Sequence, residues 1–349
     1  MNKRRLQSHW KRTRARRSIT FGILLFSPTV ALHSRPWQSY LRRSTSLLSI
    51  PKNTDAAAIA AERIEIWFDE SKAERRDAAL LSGKSVVDEW TTPVGPHWAS
   101  KEEAWDAVTY GEFDLGLFER ALTRIEILLA KKKSGAVRGG TKNFVDVGSG
   151  CGRLVLAAAL LRPRWAICEE TGARSGKFTG IEMLSSLHGR AILAHRRALE
   201  DKDIDIADAA VLQCCNFLHV DMCSDEARDV LLEADAIFSY STAFPTDPND
   251  GITVALLSRA LLGVRQGCIV ATVDNWLGDV LMEKPTIGSA GLVCRFELLE
   301  ELKGYNQDFD DCSSVFLWDV SYGPPTADEL QRVAYNPETG EIPLIDCVQ

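Results

Sequence analysis

Residues 144–153 read Phe-Val-Asp-Val-Gly-Ser-Gly-Cys-Gly-Arg, FVDVGSGCGR. An apolar run containing one acid leads directly into three glycines spaced by single small residues. The pattern predicts a strand, a tight turn and then a helix, because a chain uses glycine where it must turn sharply or bring its backbone close to a ligand. Such a unit places a ligand at the strand's carboxyl end and at the helix N-terminus. Arg153 stands where the last glycine of the dinucleotide pattern GxGxxG would fall, so the turn is not a standard pyrophosphate cradle.

On either side of this unit, apolar runs alternate with helical patterns. Strands are expected at 143–147, 178–182, 209–216, 236–240 and 268–274, and helices at 152–161, 185–201, 224–234 and 252–263. Continuous apolar strands separated by helices argue for a parallel sheet covered on both faces. The runs GLVCRFELLEEL (291–302) and SVFLWDVSYG (314–323) have no long helix between them and read as an antiparallel pair closing the sheet. Upstream, 55–81 reads as one Ala-rich helix with Ile64, Trp67 and Phe68 on one side. A second amphipathic helix is expected from Asp114 to Lys133, ending before Gly135. Between them, Ser100 with Glu103 could cap a short helix.

Several polar residues fall at the expected strand ends. Asp146 lies two residues before Gly148, Glu182 ends the second strand, and Asn216-Phe217 end the third. A carboxylate at the end of the second strand can accept both hydroxyls of a ribose. An amide and a ring nearby suit an adenine. Together they describe a nucleoside pocket without a pyrophosphate cradle, which fits S-adenosylmethionine better than NAD.

Charge is distributed unevenly. Residues 1–50 hold eleven Lys/Arg and no Asp or Glu, leaving 30 basic and 48 acidic residues and a net −18 in the rest. An acidic body does not suit broad binding to phosphate backbones, so strong nucleic-acid binding by residues 51–349 is not expected. The basic start is followed by the apolar run ITFGILLF at 19–26 and an Arg/Ser-rich stretch at 35–49. The run is too short for a stable membrane span and resembles a signal followed by a transit-like segment. Import into an organelle is the expectation; a basic nuclear arm is the alternative. Nine scattered cysteines with no CxxC pair read as reduced thiols, not as a disulfide frame or a metal site.

The stretch VDVGSGCGRLVLAAAL resembles motif I of class I methyltransferases, and the chain is similar more specifically to the Dot1-like histone-lysine methyltransferases. The resemblance spans about residues 105–320 and rests on Tyr110-Gly111-Glu112 upstream, Asp146, Gly148, Ser149, Gly150 and Gly152 at the turn, Gly180-Ile181-Glu182, and Asn216-Phe217-Leu218. It implies an α/β fold: a Rossmann-like, doubly wound, seven-stranded methyltransferase sheet with an N-terminal helical extension. The expected divisions are a basic arm (1–50), a helical region (51–140), the catalytic domain (141–325) and a tail (326–349). It also implies S-adenosyl-L-methionine as cofactor, held by the residues just named, with Glu112 at the methionine amino group.

The chain departs from the family at one position, in one five-residue stretch of which only Ala243 and Phe244 are kept, and in the segment after Glu182, which lacks similarity. Asn216 replaces an Asp, and Tyr240-Ser241-Thr242-Ala243-Phe244 stands where the family has Asn-Asn-Phe-Ala-Phe. The candidate catalytic residues are Tyr240, Ser241 and Phe244. Tyr110 and Trp276 could add to an apolar, aromatic channel that desolvates a lysine amine, and Ser239 with Ser241 could bond that amine. Three functions follow: a Dot1-like lysine methyltransferase acting on a protein, for instance a histone; a class I methyltransferase of a small molecule or organellar protein; or a non-catalytic cofactor-binding scaffold.

Overall fold

The computed structural model describes residues 54–89, 112–132, 141–167, 173–244, 246–247, 251–283, 291–306 and 311–326. The basic arm, Ser100 with Glu103, Tyr110, Gly111 and nearly all of the tail lie outside the described residues.

The strands are β1 (Phe144–Val147), β2 (Phe178–Glu182), β3 (Cys215–His219), β4 (Ala236–Ser239), β5 (Ile269–Val273), β6 (Val280–Glu283), β7 (Leu292–Asn306) and β8 (Asp311–Gly323). They form one sheet in the order β3-β2-β1-β4-β5-β8-β7-β6. β1 to β5 run parallel, while β8, β7 and β6 each pair antiparallel with their neighbours. The seven expected strands are present, and the short β6 extends the sheet beyond β7. Strand order reverses between β1 and β4, which opens a crevice at the carboxyl ends of these strands.

Helices α1 (Thr54–Trp67), α2 (Lys72–Glu89), α3 (Leu115–Lys132), α4 (Arg153–Leu161), α5 (Pro163–Ala166), α6 (Ser185–Glu200), α7 (Ile206–Leu212), α8 (Asp225–Leu232) and α9 (Ala255–Ala260) complete the described elements. Side chains alternate across each strand. Phe144, Phe178 and Phe238 therefore join α1, α3 and α4 in one core, while Val145, Ile181 and Ile237 join α8 and α9 in the other. Among the described residues no helix is long and apolar enough to cross a membrane.

Two expectations change. The single helix over 55–81 is two helices, because Ser71-Lys72-Ala73-Glu74 is a capping box. Ser71 N donates to Glu74 Oε2 at 2.7 Å and Glu74 N donates to Ser71 Oγ at 3.3 Å, which starts α2 afresh. The strand expected at 209–216 is also displaced. Ala209–Leu212 closes α7, which Asp205 caps by accepting from Asp208 N at 2.8 Å, and the strand begins only at Cys215. A short apolar run does not by itself distinguish a helix end from a strand.

Candidate functional site

All three glycines of the turn adopt left-handed backbone, with φ of 74° at Gly148, 56° at Gly150 and 79° at Gly152, a region costly for any residue with a Cβ. Gly148 N and Ser149 N both donate to Ile181 O, at 2.9 and 3.0 Å, so the turn hangs from the end of β2. A Cβ on Gly152 would lie 2.4 Å from the Phe217 ring, and one on Gly148 would lie 3.0 Å from the Phe244 ring. The structure thus brings two of the predicted aromatics against the turn.

Asp146 and Glu182 share one face of the sheet. Asp146 pairs with Gly180, and Glu182 lies two residues further toward the carboxyl edge. Asp146 is 1% exposed, and neither of its oxygens has a hydrogen-bond partner. Burial first, and the nearby Glu182 charge second, push its carboxyl up to about 8. Glu182 Oε2 accepts from Gly150 N at 2.8 Å and its Oε1 accepts from Leu184 N at 2.7 Å. Burial raises the Glu182 carboxyl, and the N–H groups of Leu184, Gly150 and Met183 pull it back. Ser149 Oγ is also buried without a partner. Unpartnered polar atoms are rare in folded interiors, and here Asp146 of β1 and Ser149 of the turn both carry them.

Asn216 does not join this group. It is paired with Thr179, three residues short of the end of β3, and it is exposed while Phe217 packs into the core on the opposite face. A polar contact at the carboxyl end of β3 must come from later in the chain. Asp221 stands there, its Oδ1 accepting from Cys223 N at 2.7 Å, and Met222 packs beside it against the core. The sequence reading missed Asp221 because it ended the strand too early.

Past β4, the ring of Tyr240 meets Phe113 with centroids 5.2 Å apart. Trp276 stacks edge-on with Phe316 and Trp318, at 5.8 Å each. The serines expected to meet an amine are otherwise engaged. Ser241 Oγ donates to Val273 O at 2.9 Å and accepts from Val273 N at 3.1 Å, and its residue is fully buried. Ser239, also fully buried, donates to Val147 O at 3.1 Å. Both hydroxyls stitch strand ends together, Ser241 with donor and acceptor and Ser239 with its donor.

Glu112 is buried, and Arg75 of α2 grips its Oε1 through Nε at 2.7 Å and Nη2 at 2.6 Å. Nothing in the local sequence announced this pair, which spans 37 positions.

No protein-family model matches the chain, and no characterised protein matches it in sequence. Many solved structures resemble it. A magnesium protoporphyrin IX methyltransferase from Synechocystis PCC 6803 with bound S-adenosylmethionine is 11% identical, covering 68% of this chain and 97% of its own, with a TM-score of 0.34. A methyltransferase from Thiobacillus denitrificans in complex with S-adenosyl-L-homocysteine is 12% identical, over 56% and 90%, with a TM-score of 0.29. A precorrin-6y C5,15-methyltransferase from Geobacter metallireducens is 12% identical, over 56% and 86%, with a TM-score of 0.28. Scores this low say nothing of substrate or activity.

Proposed function

We propose that the chain is an S-adenosyl-L-methionine-dependent methyltransferase whose cofactor lies across the glycine turn. The observation that carries this reading is the pair of buried acids on one face of β1 and β2, one of them without any partner, beside three left-handed glycines. The residues fit the cofactor. Glu182 keeps a second acceptor site on each oxygen for ribose hydroxyls. Asp146 and Ser149 supply polar atoms that lack partners, and the left-handed glycines let the turn run close against the Phe217 and Phe244 rings. Asp221 and Met222 follow the carboxyl end of β3, a position that suits contact with an adenine.

When bound, the cofactor supplies a methyl group on a sulfonium, which an in-line nucleophile can take. The chain's part is alignment, which can contribute roughly 7–11 kcal/mol, together with exclusion of water. Phe244 lies against Gly148 of the turn and Tyr240 follows β4 with its ring on Phe113, an arrangement that suits a narrow aromatic approach. A channel of this kind favours a neutral amine by desolvation. Lysine of a protein substrate, as in the Dot1-like enzymes, is therefore the acceptor we favour. A small-molecule acceptor is the second reading, and the engagement of Ser239 and Ser241 away from any incoming amine supports it.

The test is calorimetric titration with S-adenosylmethionine beside a Glu182→Ala variant, followed by transfer of labelled methyl to histones and to small amines. Micromolar binding that the variant loses is expected. A folded protein that binds nothing sinks the enzyme reading, and label on small amines alone replaces the lysine acceptor.

A further inference from the structure

Arg75 is the most deeply buried charge among the described residues, at 0% exposure. Every arm of its guanidinium is engaged. Nε and Nη2 hold Glu112 Oε1, Nη1 donates to Glu70 O at 2.7 Å, Nη2 reaches Glu65 Oε2 at 3.2 Å, and the group lies 4.6 Å over the Phe68 ring. Arg153, the first residue after the glycine turn, ties into the same cluster. Its Nη1 donates to Phe113 O at 2.9 Å, and its Nε lies 3.1 Å from Glu65 Oε1 and 3.9 Å from Glu112 Oε2.

The cluster therefore sits at the mouth of the turn. Phe113, next to Glu112, has its ring against Phe238 and Tyr240 at the carboxyl end of β4. Asp146 and Glu182 lie toward β1 and β2. Glu112 is a further buried acid, 3.9 Å from Arg153, the residue that follows the turn. A ligand with a hydroxylated nucleoside at one end and an amine at the other matches these two groups of acids. A buried ion pair is weak evidence of stabilisation, because apolar residues of equal volume often serve a core as well or better. Its position beside the turn suggests another use.

We infer that Arg75 is a positioning residue of the ligand site: it holds the Glu112 carboxylate where it meets the amino group of the ligand's amino-acid tail, so that a helix from outside the sheet completes the site. This goes further than the S-adenosylmethionine reading and rests on it. Helices α1 and α2 then become part of ligand recognition, and losing Arg75 weakens only the tail's contribution.

The experiment compares two probes on the full chain, S-adenosylhomocysteine and 5′-methylthioadenosine, which lacks the amino-acid tail. Arg75→Gln is expected to weaken S-adenosylhomocysteine by at least about tenfold, the scale of one charge-assisted hydrogen bond, and to leave 5′-methylthioadenosine nearly unchanged. Glu112→Gln should show the same split. Equal loss of both probes, or of neither, makes Arg75 purely structural and overturns the inference. Should Arg75→Gln fail to fold, Arg75→Lys decides. It keeps the charge but not the forked grip, and its preference for the tailed probe must fall between wild type and Glu112→Gln; an unchanged preference overturns the inference. A wild type that binds both probes equally overturns this inference alone, and one that binds neither overturns the cofactor reading beneath it.

Discussion

Replacing Asp146 with Asn should make the ligand-free protein more stable, and increasingly so as pH rises. The folded chain holds this carboxyl up to about 8 against an ordinary 3.8, through burial and through the Glu182 charge. Between those values the native state keeps a proton that the unfolded chain has released. Stability is therefore lost with rising pH, by about 1.4 kcal/mol per pH step, and the ceiling at pH 7 is about 4 kcal/mol. Relaxation and water entry lower the realised figure, so about 2–4 kcal/mol is the expectation. Asn is close in shape and does not titrate. Urea unfolding of both proteins from pH 4.5 to 8.5 should give curves that nearly meet at the acid end and separate steadily above it. Every other titrating group is common to the pair, so the difference reports this carboxyl together with its coupling to Glu182. A gap that stays constant with pH would refute the reasoning, because Asp146 would then ionise normally.

Binding of S-adenosylhomocysteine near pH 7 should release a proton, since a ligand that donates to Asp146 favours its ionised form; calorimetry in buffers of different ionisation enthalpy reads this directly, and buffer-independent heat counts against it. Gly152→Ala should destabilise more than Gly148→Ala. Both pay for left-handed backbone, about 1–2 kcal/mol, but a Cβ at 152 meets the Phe217 ring at 2.4 Å against 3.0 Å for the Phe244 contact at 148, and an inverted order in urea unfolding would contradict the packing. Ser241→Ala should cost about 1–3 kcal/mol of stability by leaving Val273 polar groups unpaired, with KM for the acceptor unchanged; a selective rise in KM would return Ser241 to the acceptor site.

What the sequence revealed was local. The strand at 178–182 matches β2 residue for residue, its place set by Phe178 and Ile181 and by the helical pattern that starts soon after it. The glycines announced the turn, since only they tolerate its left-handed backbone. What stayed hidden depended on distant partners. Ser241 reads as a contact for an incoming amine until β5, 32 positions away, takes both sides of its hydroxyl. The end of β3 was misplaced because Ala209–Leu212 satisfies a helix and a strand equally well, and that misplacement chose Asn216 and passed over Asp221. The capping box at Ser71 is written in the sequence beneath an Ala-rich pattern that reads as one helix.

The arrangement around Asp146 is costly for a turn that only joins a strand to a helix. A connection of that kind needs one glycine or two and no acid on the inner face of its strand. Here a second carboxylate raises the cost of ionising the first, and the first stays without a partner in a region otherwise closed by Phe217, Phe244 and the helices. An apolar residue at 146 would remove both penalties. Three left-handed glycines beside two residues with unmet buried polar atoms are what a site shaped for a ligand requires. Ligand binding at this turn should therefore raise the melting temperature more at pH 8 than at pH 5, because at the higher pH the free protein carries more of the penalty that the ligand removes.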